Sequence, residues 1–426
     1  MSVRAAAFTL ATKLAAYAAG AIVSIWVARA LGPHDRGVWS LCLLVTVILG
    51  LLADGGLGTA AVYMLRGHPS RSSAIVSSAL RLLLLNGCLW MGIGLALALT
   101  NRLPLGDVSR EALTIAVVAS LFAATASVVR QLLNGLGNLR GVNLNVLTQA
   151  LSLPVALCPA LLLAAPTARG ALWAYVCALG FTAGVAIWQL APAARGSSER
   201  APLLGPLVAY GVRAQLATLM LILTYRSDLL LVNHFLGVAA AGIYSVALTL
   251  SEILRGLAET GQMLVVAQAR KADLPVRAQA IARQTAAATA FASLAMAAAG
   301  EVLVPVAFGD AYREAATAFW FLAPGVVGLA LSYALSPLLF LEGRILVSAA
   351  AALTGLATLW LVGTLGPGEP SLIKVATASS LAYWALAGVQ IGVLRSRGEI
   401  QLSSLVPTWH DLTSFVGSVR SLFTQK

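Results

Sequence analysis

The chain has 426 residues, 59% hydrophobic and only 10% charged, with a mean hydropathy of +0.87. A soluble domain carries about 25% charged residues, so the composition excludes a single water-soluble core and points to membrane helices. The net charge of +12 is spread over many short loops, which argues against a nucleic-acid partner and for topology signalling. Cys42, Cys88, Cys158 and Cys177 all sit inside apolar runs, so no disulfide framework is implied.

Taken in order, the apolar runs predict an all-α integral membrane protein of about twelve spans, each near the roughly 20 residues that cross a bilayer. The spans fall at about 6–30, 38–64, 74–99, 112–133, 141–164, 171–192, 205–235, 239–268, 281–308, 315–340, 345–365 and 371–394. The first reads as an uncleaved span, because Lys13 interrupts its apolar stretch and a membrane protein follows it. Thr9, Lys13, Tyr17 and Ser24 share one face of that span, and Asp54 in the second is followed by Gly55-Gly56. The fourth-to-fifth turn gathers Gln131, Asn134, Asn138, Asn143, Asn145 and Gln149. These amides suit either hydrogen bonds between helices or contacts to sugar hydroxyls. The charged stretch 195–204 reads as a cytoplasmic linker between an N-terminal bundle, 1–194, and a C-terminal bundle, 205–394.

The densest charges lie just beyond that linker: Arg213, Arg226 and Asp228 in the seventh span, and Glu252, Arg255 and Glu259 in the eighth. A charge in hydrocarbon costs about 2.5–3.5 kcal/mol on insertion scales. All six must therefore face a partner or a wet cavity. Arg226 and Asp228, two apart, point in different directions on a helix, whereas Glu252, Arg255 and Glu259 at i, i+3 and i+7 share a face with Ser245 and Thr249. In the tail, 395–426, the residues Trp409, Leu412, Val416, Val419 and Phe423 recur at helical spacing behind a Thr408/Asp411 capping pair. That pattern fits an amphipathic helix on the inner leaflet or a frayed tail. With the amino terminus inside, sixteen Lys and Arg fall in cytoplasmic segments and seven outside, which puts both termini in the cytoplasm.

The segment Leu31-Gly32-Pro33-His34-Asp35-Arg36-Gly37-Val38-Trp39-Ser40 aligns without gaps on Leu236-Gly237-Val238-Ala239-Ala240-Ala241-Gly242-Ile243-Tyr244-Ser245, 205 positions later. In this register Asp54 falls on Glu259. A match near half the chain length, between two helical hairpins, predicts an internal duplication.

These residues also carry a resemblance. VARALGPHDRGVWSL with DGGLGTAAVYML behind it, YRSDLLLVNHFLGVAAAGIYSVALTL, and the later VAFGDAYREAATAFWFLAPG and LEGR resemble the polysaccharide-type branch of the multidrug/oligosaccharidyl-lipid/polysaccharide (MOP) flippase superfamily, the Wzx-like O-antigen flippases. The resemblance covers about the whole chain. It implies two six-helix bundles around a central cavity, in the bacterial inner membrane. It implies as substrate an undecaprenyl-pyrophosphate-linked oligosaccharide, moved by alternating access. Membrane lipids and other polysaccharide assembly proteins are the remaining expected partners, with no enzyme activity and no cofactor. Coupling to H+ or Na+ stays open.

On that reading Lys13, Arg213, Arg226 and Arg255 form a cationic substrate cavity, while Asp54, Asp228, Glu252 and Glu259 serve gating or coupling. Lys13, Asp54, Arg213 and Glu259 fall in the inner halves of their spans and are expected to pair as an inner gate. Two alternatives stand beside it: a MATE-type exporter of organic cations on the same fold, and a non-transporting scaffold of a polysaccharide assembly complex. No P-loop is present, and Gly135-Leu136-Gly137 lacks the strand context of a nucleotide loop. His34, His68, His234 and His410 are dispersed, so no metal cluster is expected.

Overall fold

A computed structural model describes residues 3–100, 102, 105–162, 166–194, 204–268, 274–341, 343–406, 408, 411–415 and 417. Among these there are twelve α-helices and no strand: α1 Val3–Asp54, α2 Leu57–Gly67, α3 Ser72–Leu99, α4 Arg110–Gly135, α5 Leu139–Leu162, α6 Ala168–Ala194, α7 Leu204–Thr224, α8 Asp228–Gln268, α9 Leu274–Phe308, α10 Arg313–Leu341, α11 Ile345–Leu365 and α12 Leu372–Ser396. Runs of Ala and Leu make helix the most favourable way to satisfy the backbone in lipid. Serine caps start two of them: Ser109 Oγ accepts from Ala112 N at 3.2 Å and Ser371 Oγ from Lys374 N at 3.2 Å.

Ten stretches among the described residues are long and apolar enough to cross a membrane. Two of them, Ala11–Asp54 of 44 residues and Leu204–Val266 of 63 residues, are at least twice the length one crossing needs. Each bends at a glycine, Gly32 and Gly237, and dividing them there yields the twelve spans predicted. Both glycines hold nearly the same backbone, φ 72°, ψ 174° and φ 85°, ψ 176°. That region is open essentially to glycine alone. The loops expected between the first and second spans and between the seventh and eighth are thus single-residue bends in otherwise continuous helix.

Two breaks do not appear in the predicted spans. The second span stops at Asp54, passes through Gly55 and Gly56 in the left-handed region (φ 57° and 72°), and resumes as α2. The seventh stops at Thr224, turns through Tyr225-Arg226-Ser227, and resumes at Asp228.

Contacts group the chain into two compact units that do not follow the expected 1–194 and 205–394 division. One comprises Ala30–Leu219, the other Met1–Arg29 together with Met220–Lys426. The first arm of α1 therefore groups with the C-terminal helices, and the first part of α7 with α2–α6. Residues 195–203 of the expected linker lie outside the described residues.

The core of the Ala30–Leu219 unit joins α2, α3, α4 and α6 through Leu57, Met64, Ile75, Leu83, Val128, Leu132, Leu133 and Leu190, with Leu207 of α7. In the other unit α9, α10 and α12 pack through Leu274, Ile281, Leu335, Leu338 and Leu394. Ile400, Leu405 and Phe415 from the tail are buried in that same cluster, and Leu412 packs against it. Gln279 of α9 accepts from Gln401 N at 3.0 Å and donates to Glu399 O at 3.1 Å. Arg344 pairs with Glu399 at 2.7 Å and Arg283 with Asp411 at 2.8 Å. Ile400, Leu405, Leu412 and Phe415 of the tail thus face the protein, while Leu402 and Val406 are exposed; Trp409, Val416, Val419 and Phe423 lie outside the described residues.

Candidate functional site

The sequence-selected charges meet most closely along one side of α8. Glu259 accepts from Lys13 Nζ of α1 at 3.2 Å, and its other oxygen lies 3.9 Å from Arg255 Nε one turn away. Arg255 stands over the Tyr225 ring, 5.5 Å from its centroid, a cation–π distance. Arg226, next along the α7–α8 break, pairs with Glu252. Lys13, Glu259, Arg255, Glu252 and Arg226 thus alternate in sign along a single seam. A small pocket lies against it, lined by Tyr225, Arg226, Ser251, Glu252, Arg255 and Tyr383 with Leu248, Val326 and Leu329.

The face predicted for α1 is the one that meets α8. Below Lys13, the Tyr17 ring lies where a Cβ on Gly256 would come within 3.3 Å of it. Further along, Ser24 Oγ and Thr249 Oγ1 are 2.8 Å apart. At the end of this arm Tyr312 donates to Ala28 O at 3.0 Å, and Arg29 donates to the last carbonyls of α9, Ala307 O at 2.7 Å and Val306 O. A cation at a helix C-terminus satisfies orphan carbonyls and complements the helix dipole. All these contacts fall within one unit.

Asp228 lies in the same unit but off the seam. It is fully buried, accepts from Tyr244 Oη and Ser379 Oγ at 3.1 Å each, and takes the N–H of Leu229 at 2.8 Å. Its carboxylate thereby starts α8 after the break. Arg226, in the turn, pairs with Glu252, while Asp228, at the start of α8, accepts from Tyr244 and Ser379.

Asp54 belongs to the other unit and accepts from Gly58 N at 3.3 Å, Ser127 Oγ at 3.3 Å and Gln131 Nε2 at 3.4 Å, with the Arg130 guanidinium close enough to interact electrostatically. It accepts from α2's first turn across the glycine break, while Asn86 Nδ2 satisfies Leu52 O and Ala53 O at 2.7 and 2.8 Å on the other side. Gln131 also accepts from Thr59 at 3.1 Å, Gln149 from Arg130 at 2.8 Å, and Asn145 donates to Thr182 O at 3.4 Å. These amides hold helices together. Arg213, on α7, is exposed and in no ion pair among the described residues.

Of the four cations expected together, the structure brings Lys13, Arg226 and Arg255 onto one seam and leaves Arg213 in the other unit. Of the four residues expected as an inner gate, only Lys13 and Glu259 pair directly. Sequence reasoning missed Tyr225, Ser379 and Tyr383. Tyr225 adjoins Arg226 and was within reach of inspection, whereas Ser379, 151 residues from Asp228, carries no local signal. Among the described residues no group of three or more His, Cys, Asp or Glu is placed to hold a metal.

Among known proteins, the model of a family described as polysaccharide biosynthesis protein matches residues 26–317. No curated protein matches the chain. Several solved structures share the fold at low identity. A multidrug resistance MATE family transporter of the MOP superfamily in its inward-facing conformation superposes with a TM-score of 0.68 at 14% identity, covering 90% of this chain and 94% of that one. An outward-facing structure of such a transporter gives 0.60 at 13% identity, covering 93% and 94%. The MATE multidrug transporter DinF-BH, solved with a bound ligand, gives 0.62 at 14% identity, covering 92% and 95%. The likeness extends over nearly the full length of both partners and establishes the fold, while the family match spans well over half of the chain. The chain belongs to the polysaccharide biosynthesis protein family and has the multi-pass fold of the MATE transporters of the MOP superfamily.

Proposed function

We propose that the protein is a flippase that moves an undecaprenyl-pyrophosphate-linked oligosaccharide across the bacterial inner membrane by alternating access, with both termini in the cytoplasm. The observation that carries this reading is the polysaccharide-biosynthesis family match on a transporter fold. The seam on α8 supports it. A diphosphate and its sugars cannot cross about 30 Å of hydrocarbon unaided, so they need fixed cations and hydrogen-bonding groups at mid-passage.

Three cations, Lys13, Arg226 and Arg255, stand against two carboxylates, Glu252 and Glu259. Asp228, close enough to Arg226 to interact electrostatically, balances the third cation, and each seam carboxylate holds its cation in place until an anion replaces it. The anionic head of the substrate then stabilises the state in which the carboxylates have let go, which is the differential interaction that alternating access requires.

The test uses proteoliposomes loaded with lipid-linked oligosaccharide extracted from the protein's own cells. The fraction reached by an impermeant lectin is followed with time, and ethidium efflux is measured in parallel. The proposal expects the lectin-accessible fraction to rise from the outer leaflet's share to the whole pool. Ethidium efflux without lipid movement would establish the exporter instead, and movement of neither would leave the scaffold reading standing and the flippase refuted.

A further inference from the structure

The pocket beside the seam is built from more than charge. It lies wholly within one unit, between the α7–α8 break, α8, α10 and α12. Leu248, Ser251, Glu252 and Arg255 recur at i, i+3, i+4 and i+7, so one face of α8 forms a wall. The cations there already have partners: Arg226 is paired with Glu252, and Arg255 stands over the Tyr225 ring. One donor has none. Arg255 Nε is buried and makes no hydrogen bond. The Glu259 oxygen closest to pairing with it stands 3.9 Å away, beyond hydrogen-bonding reach. A buried donor without an acceptor is unfavourable, so an acceptor brought to Arg255 is held.

The remaining walls decide what that acceptor belongs to. Leu248 of α8 and Val326 and Leu329 of α10 present aliphatic carbon, and the phenol rings of Tyr225 and Tyr383 stand beside them. Ser251 Oγ gives its proton to Ala247 O at 3.1 Å, which leaves its lone pairs to accept. The free space for atom centres is about 20 Å³, somewhat more than the roughly 10–15 Å³ that a single water needs. It admits a short side arm and not a pyranose ring. A phosphate has acceptors on every side and would set them against Glu252 and aliphatic carbon. A secondary amide with a methyl group suits every wall. Its carbonyl accepts from Arg255, its N–H donates to Ser251 Oγ, and its methyl covers Leu248, Val326 and Leu329.

We propose that this pocket is a subsite for the N-acetylamino group of a sugar, and that through it the protein selects lipid carriers whose sugar bears such a group. The inference rests on the flippase reading for what the sugar is attached to. The seam cations answer the diphosphate, and the pocket beside them reads the sugar. Exchanging the acetamido group for a hydroxyl removes the methyl contact and the carbonyl acceptor together, and a buried site built for a polar group rejects the ligand that lacks it.

The test is direct binding, which reads the pocket whether or not lipid is moved. The full-length protein in nanodiscs is titrated with two synthetic carriers, a polyprenyl diphosphate bearing N-acetylglucosamine and the same lipid bearing glucose. The two differ only at C2 of the sugar. The first is expected to bind at least tenfold more tightly. Val326→Phe, at a buried position of the wall, fills the pocket and is expected to bring the two affinities within twofold of each other. If that variant does not fold, the wild-type ratio decides alone. Equal affinities in the wild-type protein overturn the inference, as does binding of neither carrier, or a Val326→Phe protein that keeps the tenfold preference. The two readings fail separately. A protein that prefers the acetamido carrier but moves no lipid-linked oligosaccharide in the lectin assay refutes the flippase and retains the subsite. One that moves lipid-linked oligosaccharide but binds both carriers equally retains the flippase and loses the subsite.

Discussion

The two aligned hairpins share one feature and diverge in the next. Gly32 and Gly237, 205 residues apart, bend their helices with almost the same dihedrals. Beyond the bend, the first copy breaks at Asp54-Gly55-Gly56, while the second runs unbroken through Glu259 to Gln268. Before the bend the order is reversed: the first copy runs unbroken to Leu31, while the second breaks at Tyr225–Ser227. Each copy therefore contains one break with a buried aspartate beside it, Asp54 or Asp228, but at different places. The aligned acids part company as a result. Asp54 accepts from backbone and neutral side chains, and Glu259 holds a lysine from α1. The two aligned segments share the turn and differ in their charges, so position in the alignment does not by itself assign a role.

The sharpest way to break this comparison is through its glycines. Gly56→Ala drives a Cβ to 2.1 Å from the Gly211 carbonyl, backbone against backbone, at a φ of 72°. It is expected to abolish recovery of monodisperse protein from the membrane. Gly32→Ala and Gly237→Ala meet no neighbour and carry only dihedral strain, about 1–3 kcal/mol. Both should fold, with melting temperatures lowered by similar amounts. A Gly56→Ala protein of wild-type yield, or unequal effects at Gly32 and Gly237, would show that the copies are not matched as described.

The acids sharpen it at a smaller scale. Glu259→Gln removes the partner of Lys13, and transport should fall about tenfold at unchanged abundance, the effect of about 1.4 kcal/mol on the transported state. Asp54→Asn keeps a hydrogen-bonding cap for α2, so its cost should appear as about 1 kcal/mol of stability, with transport per molecule within twofold. Reversed outcomes, transport lost at Asp54 and kept at Glu259, would overturn the division of roles.

The smallest effect is expected at the tail. Burial opposes ionisation of Asp411, but hydrogen bonds from Thr408 and Arg283 outweigh it and hold the carboxyl below its ordinary value of 3.8. A carboxyl depressed in the folded state stabilises it above the unfolded value and loses that contribution as pH falls through the folded one. Docking of the tail should therefore be constant at neutral pH and weaken only below about 3.8. Limited proteolysis should cut Asp411→Asn faster than wild type at pH 7, and equal rates would remove the pairing from the account.

Much of the architecture is legible in the sequence. Apolar length located the spans, because a bilayer sets that length physically. The polar face of α1 and the i, i+3, i+7 face of α8 followed from helical periodicity, and the two faces do meet. The breaks were not legible. Gly55-Gly56 reads as ordinary in a glycine-rich membrane helix, and Tyr225-Arg226-Ser227 has no breaker residue at all. Partnership was legible only in part. Nothing local to Asp228 announces Ser379, and nothing near Ala28 announces Tyr312, 284 positions away. The grouping of α1 with the C-terminal helices depends on such distant contacts, so a division at the charged linker was the natural reading of sequence alone.

The central claim is that the α1–α8 seam carries an anionic lipid-linked sugar and that Lys13 and Glu259 act there as a pair. Exchanging them tests it most directly. Lipid-linked oligosaccharide movement is measured in proteoliposomes for Lys13→Glu, Glu259→Lys and the double exchange, at equal protein content. Each single change should lower the rate at least tenfold, and the double exchange should return it to within threefold of wild type. Single variants that work at full rate, or a double exchange no better than either one, would contradict the account.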